Sequence, residues 1–146
     1  MDRKRILVSF ARENRGQSVI EFALVLPLLL VLLFGITEFG RAWMTMNVLT
    51  SAAREGARLA VVTAPDEAAV TARVRDVCTS AGIDAASITS ITVTPPAPSD
   101  PNRRVTVAVE VNFQFIPGDI LSLFDGEGLS GTIPLRATSV MRHESL

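Results

Sequence analysis

With 146 residues, 48% of them apolar, and a formal net charge of −1, the chain has room for one ordinary domain plus an anchor. The single cysteine, Cys78, excludes an intramolecular disulfide, and a single histidine with no tyrosine removes most metal centres and histidine-activated nucleophiles. The charge is unevenly placed: residues 1–16 carry +3, residues 17–65 are balanced and residues 66–146 carry −4.

The basic head leads straight into an apolar run. Phe22 to Ile36 contains no polar side chain, yet as a helix it reaches only roughly 22 Å, short of a hydrocarbon core of about 30 Å. Extending the helix from Val19 to Phe39 supplies the length, with Glu21 near one membrane face and Glu38 near the other. Pro27 removes one backbone donor and allows a kink, which membrane helices tolerate. The excess of Lys and Arg in the head predicts a cytoplasmic N-terminus and an exported body. A cleaved secretory signal is disfavoured, because "GITEFGRAW" after the run places charge and bulky aromatics where a small-x-small site is needed. An uncleaved signal anchor accounts for head and run alike.

Past the membrane the helical period continues. Phe39, Trp43, Met46 and Leu49 recur at spacings of three and four, and Trp43 suits a membrane–water boundary. Ala53, Gly56, Ala57 and Ala60 then form a small-residue stripe, which admits close approach of another element. Packing against the protein's own domain is preferred to packing between subunits. Arg54, Glu55 and Arg58 read as a solvated face.

"TAPD", residues 63–66, breaks this helix. A second starts near Asp66 or Glu67, where acid in the first turn suits the helix dipole. Val70, Val74, Val77 and Cys78 make its apolar side, and Gly82 ends it. Cys78 reads as a small buried hydrophobe.

From Ile88 the period becomes two. Residues 88–93 predict a short strand of imperfect alternation, and "PPAPSDPN", Pro95 to Asn102, is a loop barred from a sheet interior. "RVTVAVEVNFQF" alternates throughout. Val105, Val107, Val109, Val111, Phe113 and Phe115 share one face; Thr106, Ala108, Glu110, Asn112 and Gln114 share the other. "IPGDILSLFDGEG" is a turn or short helix whose Ile120, Leu121, Leu123 and Phe124 suit a cap on the core. A last strand runs from about Gly131 to Arg142, with Pro134 indicating an edge or a late start. The expected fold class is α+β: a long N-terminal transmembrane helix, then a small domain with one further helix and an antiparallel sheet of about three strands.

Catalytic constellations are missing from the sequence. Asp100, Asp119, Asp125 and Glu127 are loop acids, and Asp125-Gly126-Glu127-Gly128 lacks the spaced oxygen series of a calcium loop, so a plain turn is preferred. His143, beside Arg142 and Glu144, reads as exposed tail. No phosphate loop, zinc pair or nucleophile elbow is present, and the body has no basic patch for nucleic acid. No enzyme activity, cofactor or metal is expected.

What the membrane reading leaves unexplained is Glu21. A carboxylate in lipid costs about 2.5–3.5 kcal/mol near the centre and less near the edge, so it needs shallow placement or a partner. Gly16 followed by Gln17-Ser18-Val19-Ile20-Glu21-Phe22 and an apolar run resembles the prepilin peptidase site of type IV pilins and pseudopilins. The longer stretch "RGQSVIEFALVLPLLLVLLFGITEFGR", followed by "SAAREGARLAVV", resembles the TadE-like proteins of the tight adherence (Tad) pilus and secretion system. The tail "IPLRATSVMRHE" is similar to the ending of that family.

The resemblance implies a minor pseudopilin of a Tad-type (type IVb/Flp) pilus, since Phe22 stands where major Tad pilins carry tyrosine. It implies cutting on the cytoplasmic side after Gly16, which leaves Gln17 first and Glu21 fifth in the mature chain. The new amine would pair with Glu21 in the same or a neighbouring subunit. Residues 1–16 are then a cytoplasmic leader, 17–62 a transmembrane and extended spine helix, and 63–146 an exported α+β domain, held in the bacterial cytoplasmic membrane or incorporated in a pilus. Expected partners are a prepilin peptidase, other pilin-like subunits, the membrane platform of pilus assembly, and lipid. The competing reading is an uncleaved single-pass anchor presenting a binding module.

Overall fold

The computed structural model describes the backbone of residues 3–62, 66–116 and 131–142, with side chains from Gly16 onward. In chain order they form helix α1 (Arg3–Val62), helix α2 (Glu67–Ser80), a 3-10 turn (Ala85–Ser87), and strands β1 (Ile88–Thr94), β2 (Arg104–Gln114) and β3 (Thr132–Arg142). The strands make one antiparallel sheet in the order β1-β2-β3. This is the α+β class expected from the pattern. The chain divides into two compact units, Met1–Phe39 and Gly40–Leu146, with the boundary inside α1.

Within the first unit, α1 is apolar on all sides from Phe22 to Ile36. Val19, Phe22, Leu24, Leu28 and Leu32 are all more than half exposed, although they point in different directions around the helix. A helix apolar all round is stable only inside protein or lipid. Pro27 lies within the helix without ending it.

The second unit is built around β2. Val105, Val107 and Val109 are fully buried, and Val111 and Phe113 nearly so; they are the apolar alternates of the strand. Facing them are Leu49, Ala52, Ala53, Ala57 and Ala60 of α1 and Val70, Val74 and Cys78 of α2, all inaccessible to solvent. Full burial of a valine or leucine side chain contributes about 1.5–3 kcal/mol, so this cluster is the main source of the domain's stability.

Local signals set the element ends. The Asp66 carboxylate accepts from the Ala68 N–H at 3.1 Å and caps α2. At the other end the Gly82 N–H donates to the Thr79 carbonyl and the Ile83 N–H to the Cys78 carbonyl, both at 3.0 Å. That is a Schellman closure, and it requires the left-handed φ of +87° that Gly82 adopts.

The imperfect alternation of β1 has a physical cause. Ile88 pairs with Val111 but Ser90 pairs with Glu110, so a bulge occupies the position between them. Both Ile88 and Ile91 thereby pack against the core. Pro134 lies in β3, which among the described residues pairs only with β2 and is an edge strand. Ala108 departs from the simple two-face reading, since it is buried although it shares the outer face. Its partners on either side are Thr92 and Thr138. Val77 and Phe115 are half-buried rather than core. The loop apolars Ile120, Leu121, Leu123 and Phe124, the acids Asp119, Asp125 and Glu127, and His143 lie outside the described residues.

Candidate functional site

The residues singled out for processing and assembly lie consecutively on α1. Gly16, Gln17, Glu21 and Phe22 are all exposed, and the space a side chain would fill at Gly16 is empty. The backbone is helical through the Gly16–Gln17 bond, so a peptidase that needs an extended substrate must open the helix there. Gln17 and Glu21 are one turn apart on the same side of the helix, about 6 Å along its axis.

After them comes the anchor. The stretch Gly16–Val62 contains a window of mean hydropathy 2.8, none of it buried, and this is the one described helix long and apolar enough to cross a membrane. Phe22 and Ile36, the ends of the uninterrupted apolar run, are 62% and 64% exposed. Such surface is incompatible with water over this length. Glu38 is buried to 6% exposure, unlike Glu21.

The small-residue stripe has its partner within the domain. Ala53, Ala57 and Ala60 are fully buried, and a Cβ at Gly56 would run into Val74 Cγ2 and come to 3.2 Å from Val107 Cγ1. Backbone meets valine methyls here. On the outer side of the same helix Glu55 Oε1 receives Arg58 at 3.0 Å and Arg73 of α2 at 3.4 Å, and Arg73 also reaches Asp76 at 3.2 Å. The hydrogen bond from Arg58, supported by its charge and by Arg73, lowers the Glu55 pKa below its ordinary value.

Asp100 serves its own turn. It accepts from the N–H groups of Asn102 and Arg104 and from the Arg104 side chain, and these bonds lower its pKa. Arg103, at the end of this turn, takes a left-handed φ of 45°. Cys78 is buried, and desolvation raises its thiol pKa. Among the described residues no group of three or more His, Cys, Asp or Glu side chains converges to hold a metal.

One relationship was not legible in the sequence. The Arg41 guanidinium lies over the Phe113 ring, 5.1 Å from its centroid. The sequence signal was a lone arginine just after the apolar run, but nothing local ties it to a strand some seventy residues later.

No curated protein and no solved structure matches the chain. The model of the TadE-like protein family does match, over residues 16–58. Residues 16–58, which take in the apolar run and the first part of the buried spine, are therefore similar to TadE-like proteins.

Proposed function

We propose that the chain is a minor pseudopilin of a Tad-type pilus, cut after Gly16 by a prepilin peptidase and retained in the cytoplasmic membrane by the helix that follows. The carrying observation is the exposed, all-round apolar helix beginning directly after Gly16 and Glu21, inside the segment that matches the TadE-like family. The basic head remains in the cytoplasm and the α+β domain is exported. The role is structural, with other pilin-like subunits and the assembly platform as partners.

Cleavage changes the electrostatics of Glu21. It makes Gln17 a helix N-terminus bearing an ammonium group, with a carboxylate in the first turn. Acid in that position is favoured by the helix dipole as well as by the new amine. An amine of a neighbouring subunit offers the same partner, and in lipid a pair is far less costly than two separated charges. Pairing between subunits would set their register.

N-terminal sequencing of membrane-extracted protein, made with and without prepilin peptidase, tests the proposal. A chain starting at Gln17 only when the peptidase is present is the expected result. Met1 retained under both conditions overturns processing and leaves a tethered domain.

A further inference from the structure

Both outer strands of the sheet have an open side among the described residues, because β1 and β3 each pair only with β2. They are guarded unequally. β3 carries Pro134, Arg136 and Arg142, all exposed, and proline and charge are common devices against the addition of a further strand. β1 reads "ITSITVT" and has neither. Its bulge lies before Ser90, and Ser90 to Thr94 pair regularly with β2.

Pro134 also shows which backbone groups of β1 point outward. Proline has no N–H, so on an edge strand its nitrogen faces away from the neighbouring strand. Its partner Asn112 therefore turns its own N–H and C=O away from β3, to the β1 side of the sheet. Alternation along β2 does the same for Glu110, Ala108 and Thr106, which bond Ser90, Thr92 and Thr94. The N–H and C=O groups of Ile91 and Val93 are left on the open side of β1.

Helix α2 overhangs that same side. It packs on β1, and Arg73 joins it to Glu55 of α1, so α1 lies on its Arg73 side. The opposite side, at roughly 100° per residue, carries Glu67, Ala68, Thr71, Ala72 and Arg75, which line one open groove of about 640 Å³. Glu67 and Arg75 are exposed and take part in none of the ion pairs among the described residues. They lie roughly 12 Å apart along the axis. A face with acid at one end and base at the other is complementary to itself turned round. The occupant that this charge pattern fits is a second copy of the chain.

We infer that two copies join through β1 and α2 about a two-fold axis, so that the sheet continues from one β1 into the other. Thr92 lies opposite the second copy's Thr92, and Ser90 opposite the second copy's Thr94. Ile91 exchanges N–H···O bonds with the second copy's Val93, and Val93 with the second copy's Ile91. Each Glu67 meets the other copy's Arg75, so the ion pair forms twice and no like charges meet. A contact of this kind uses the same patch on both copies and closes on itself. The inference rests neither on the anchor nor on cleavage after Gly16.

Thr92 and Thr138 flank Ala108 in one row across the sheet, one on each outer strand, and both are exposed. Each is replaced by cysteine in the full chain, held in a neutral detergent and oxidised with copper phenanthroline. The native Cys78 is buried, and the wild-type chain measures its background. Directly opposed residues between hydrogen-bonded pairs have Cα atoms about 4.5 Å apart, within the range of a disulfide. Thr92→Cys should give cross-linked dimer several-fold above Thr138→Cys and wild type. In the Thr92→Cys chain, Arg75→Glu should lower the yield, and adding Glu67→Arg should restore it. Equal yields from Thr92→Cys and Thr138→Cys, or none from Thr92→Cys, overturn the interface. A yield indifferent to both charge reversals overturns the helix contact and with it the two-fold geometry.

Discussion

Gly56 brings the backbone of α1 so close to Val74 of α2 that a single added methyl group would overlap the Val74 Cγ2 atom. Val107 Cγ1 stands on the other side of the same space, 3.2 Å from where that methyl would lie. The three elements of the core meet there without room for a side chain.

Gly56→Ala should therefore destabilise the domain. Overpacking a filled core typically costs about 1–3 kcal/mol, against a gain of up to about 1 kcal/mol from alanine's helix propensity. A net loss of up to about 2 kcal/mol is expected, read as a lower urea midpoint of the detergent-solubilised protein. Val74→Ala in the same chain should recover part of the loss, a coupling a double-mutant cycle detects. Strictly additive effects of Gly56→Ala and Val74→Ala would mean that α1 and α2 do not approach as described.

Stability should fall in acid partly through Glu55 and Asp100. Bonds from Arg58 hold the Glu55 carboxyl below its ordinary value of 4.5, and the Asn102 N–H with the Arg104 side chain holds Asp100 below 3.8. A carboxylate with a depressed folded pKa stabilises the fold fully above its unfolded pKa. That contribution is lost as pH falls through the folded value. The loss should begin below about pH 4.5 and continue past the lowered values, and Glu55→Gln should flatten the profile in that window. Both groups are partly exposed at the surface, where salt screens such pairs, so the effect should shrink in high salt. A Glu55 carboxyl that titrates by NMR at or above 4.5 contradicts the bond to Arg58.

Cys78 should resist thiol reagents in the folded protein. It is fully buried, and desolvation raises its pKa above the ordinary 9.0, so little thiolate forms at neutral pH. Reaction with a disulfide reagent should be slow until urea unfolds the domain, then rapid. Cys78→Ser places a hydroxyl in that apolar site and should cost about 1–3 kcal/mol. Fast labelling in native conditions would contradict its position between α2 and the sheet.

Glu21→Ala should leave membrane insertion and processing intact and reduce pilus production, because it removes the acid but none of the apolar run. Glu21→Gln should behave like alanine if charge, rather than polarity, is what matters. Immunoblotting of membrane fractions and counts of pili by electron microscopy read the two effects separately. Normal piliation in both variants would remove the assembly role assigned to Glu21.

Much of the architecture is written in local patterns. The alternation from Val105 to Phe113 made β2 visible because a half-buried strand requires period two. The run from Phe22 to Ile36 marked a helix long and apolar enough to cross a membrane, because length and composition alone carry that property. Asp66 and Gly82 marked the ends of α2 through capping chemistry that acts within a few residues.

Other features needed the assembled fold. Ala53, Gly56, Ala57 and Ala60 announce close approach, but a small side chain says nothing about what approaches; only the placement of Val74 and Val107 directs the stripe into the domain's own core. The burial of Ala108 on the outer face was not visible in the alternation, and the break in the β1 pattern became a bulge only once pairing with Val111 and Glu110 was known. The contact of Arg41 with Phe113 joins residues far apart in the chain. Sequence alone determined what acts within a helical turn or along one strand, because backbone geometry fixes those distances in advance. Which surfaces meet was decided by tertiary packing, where distances are set by the shapes of several elements at once.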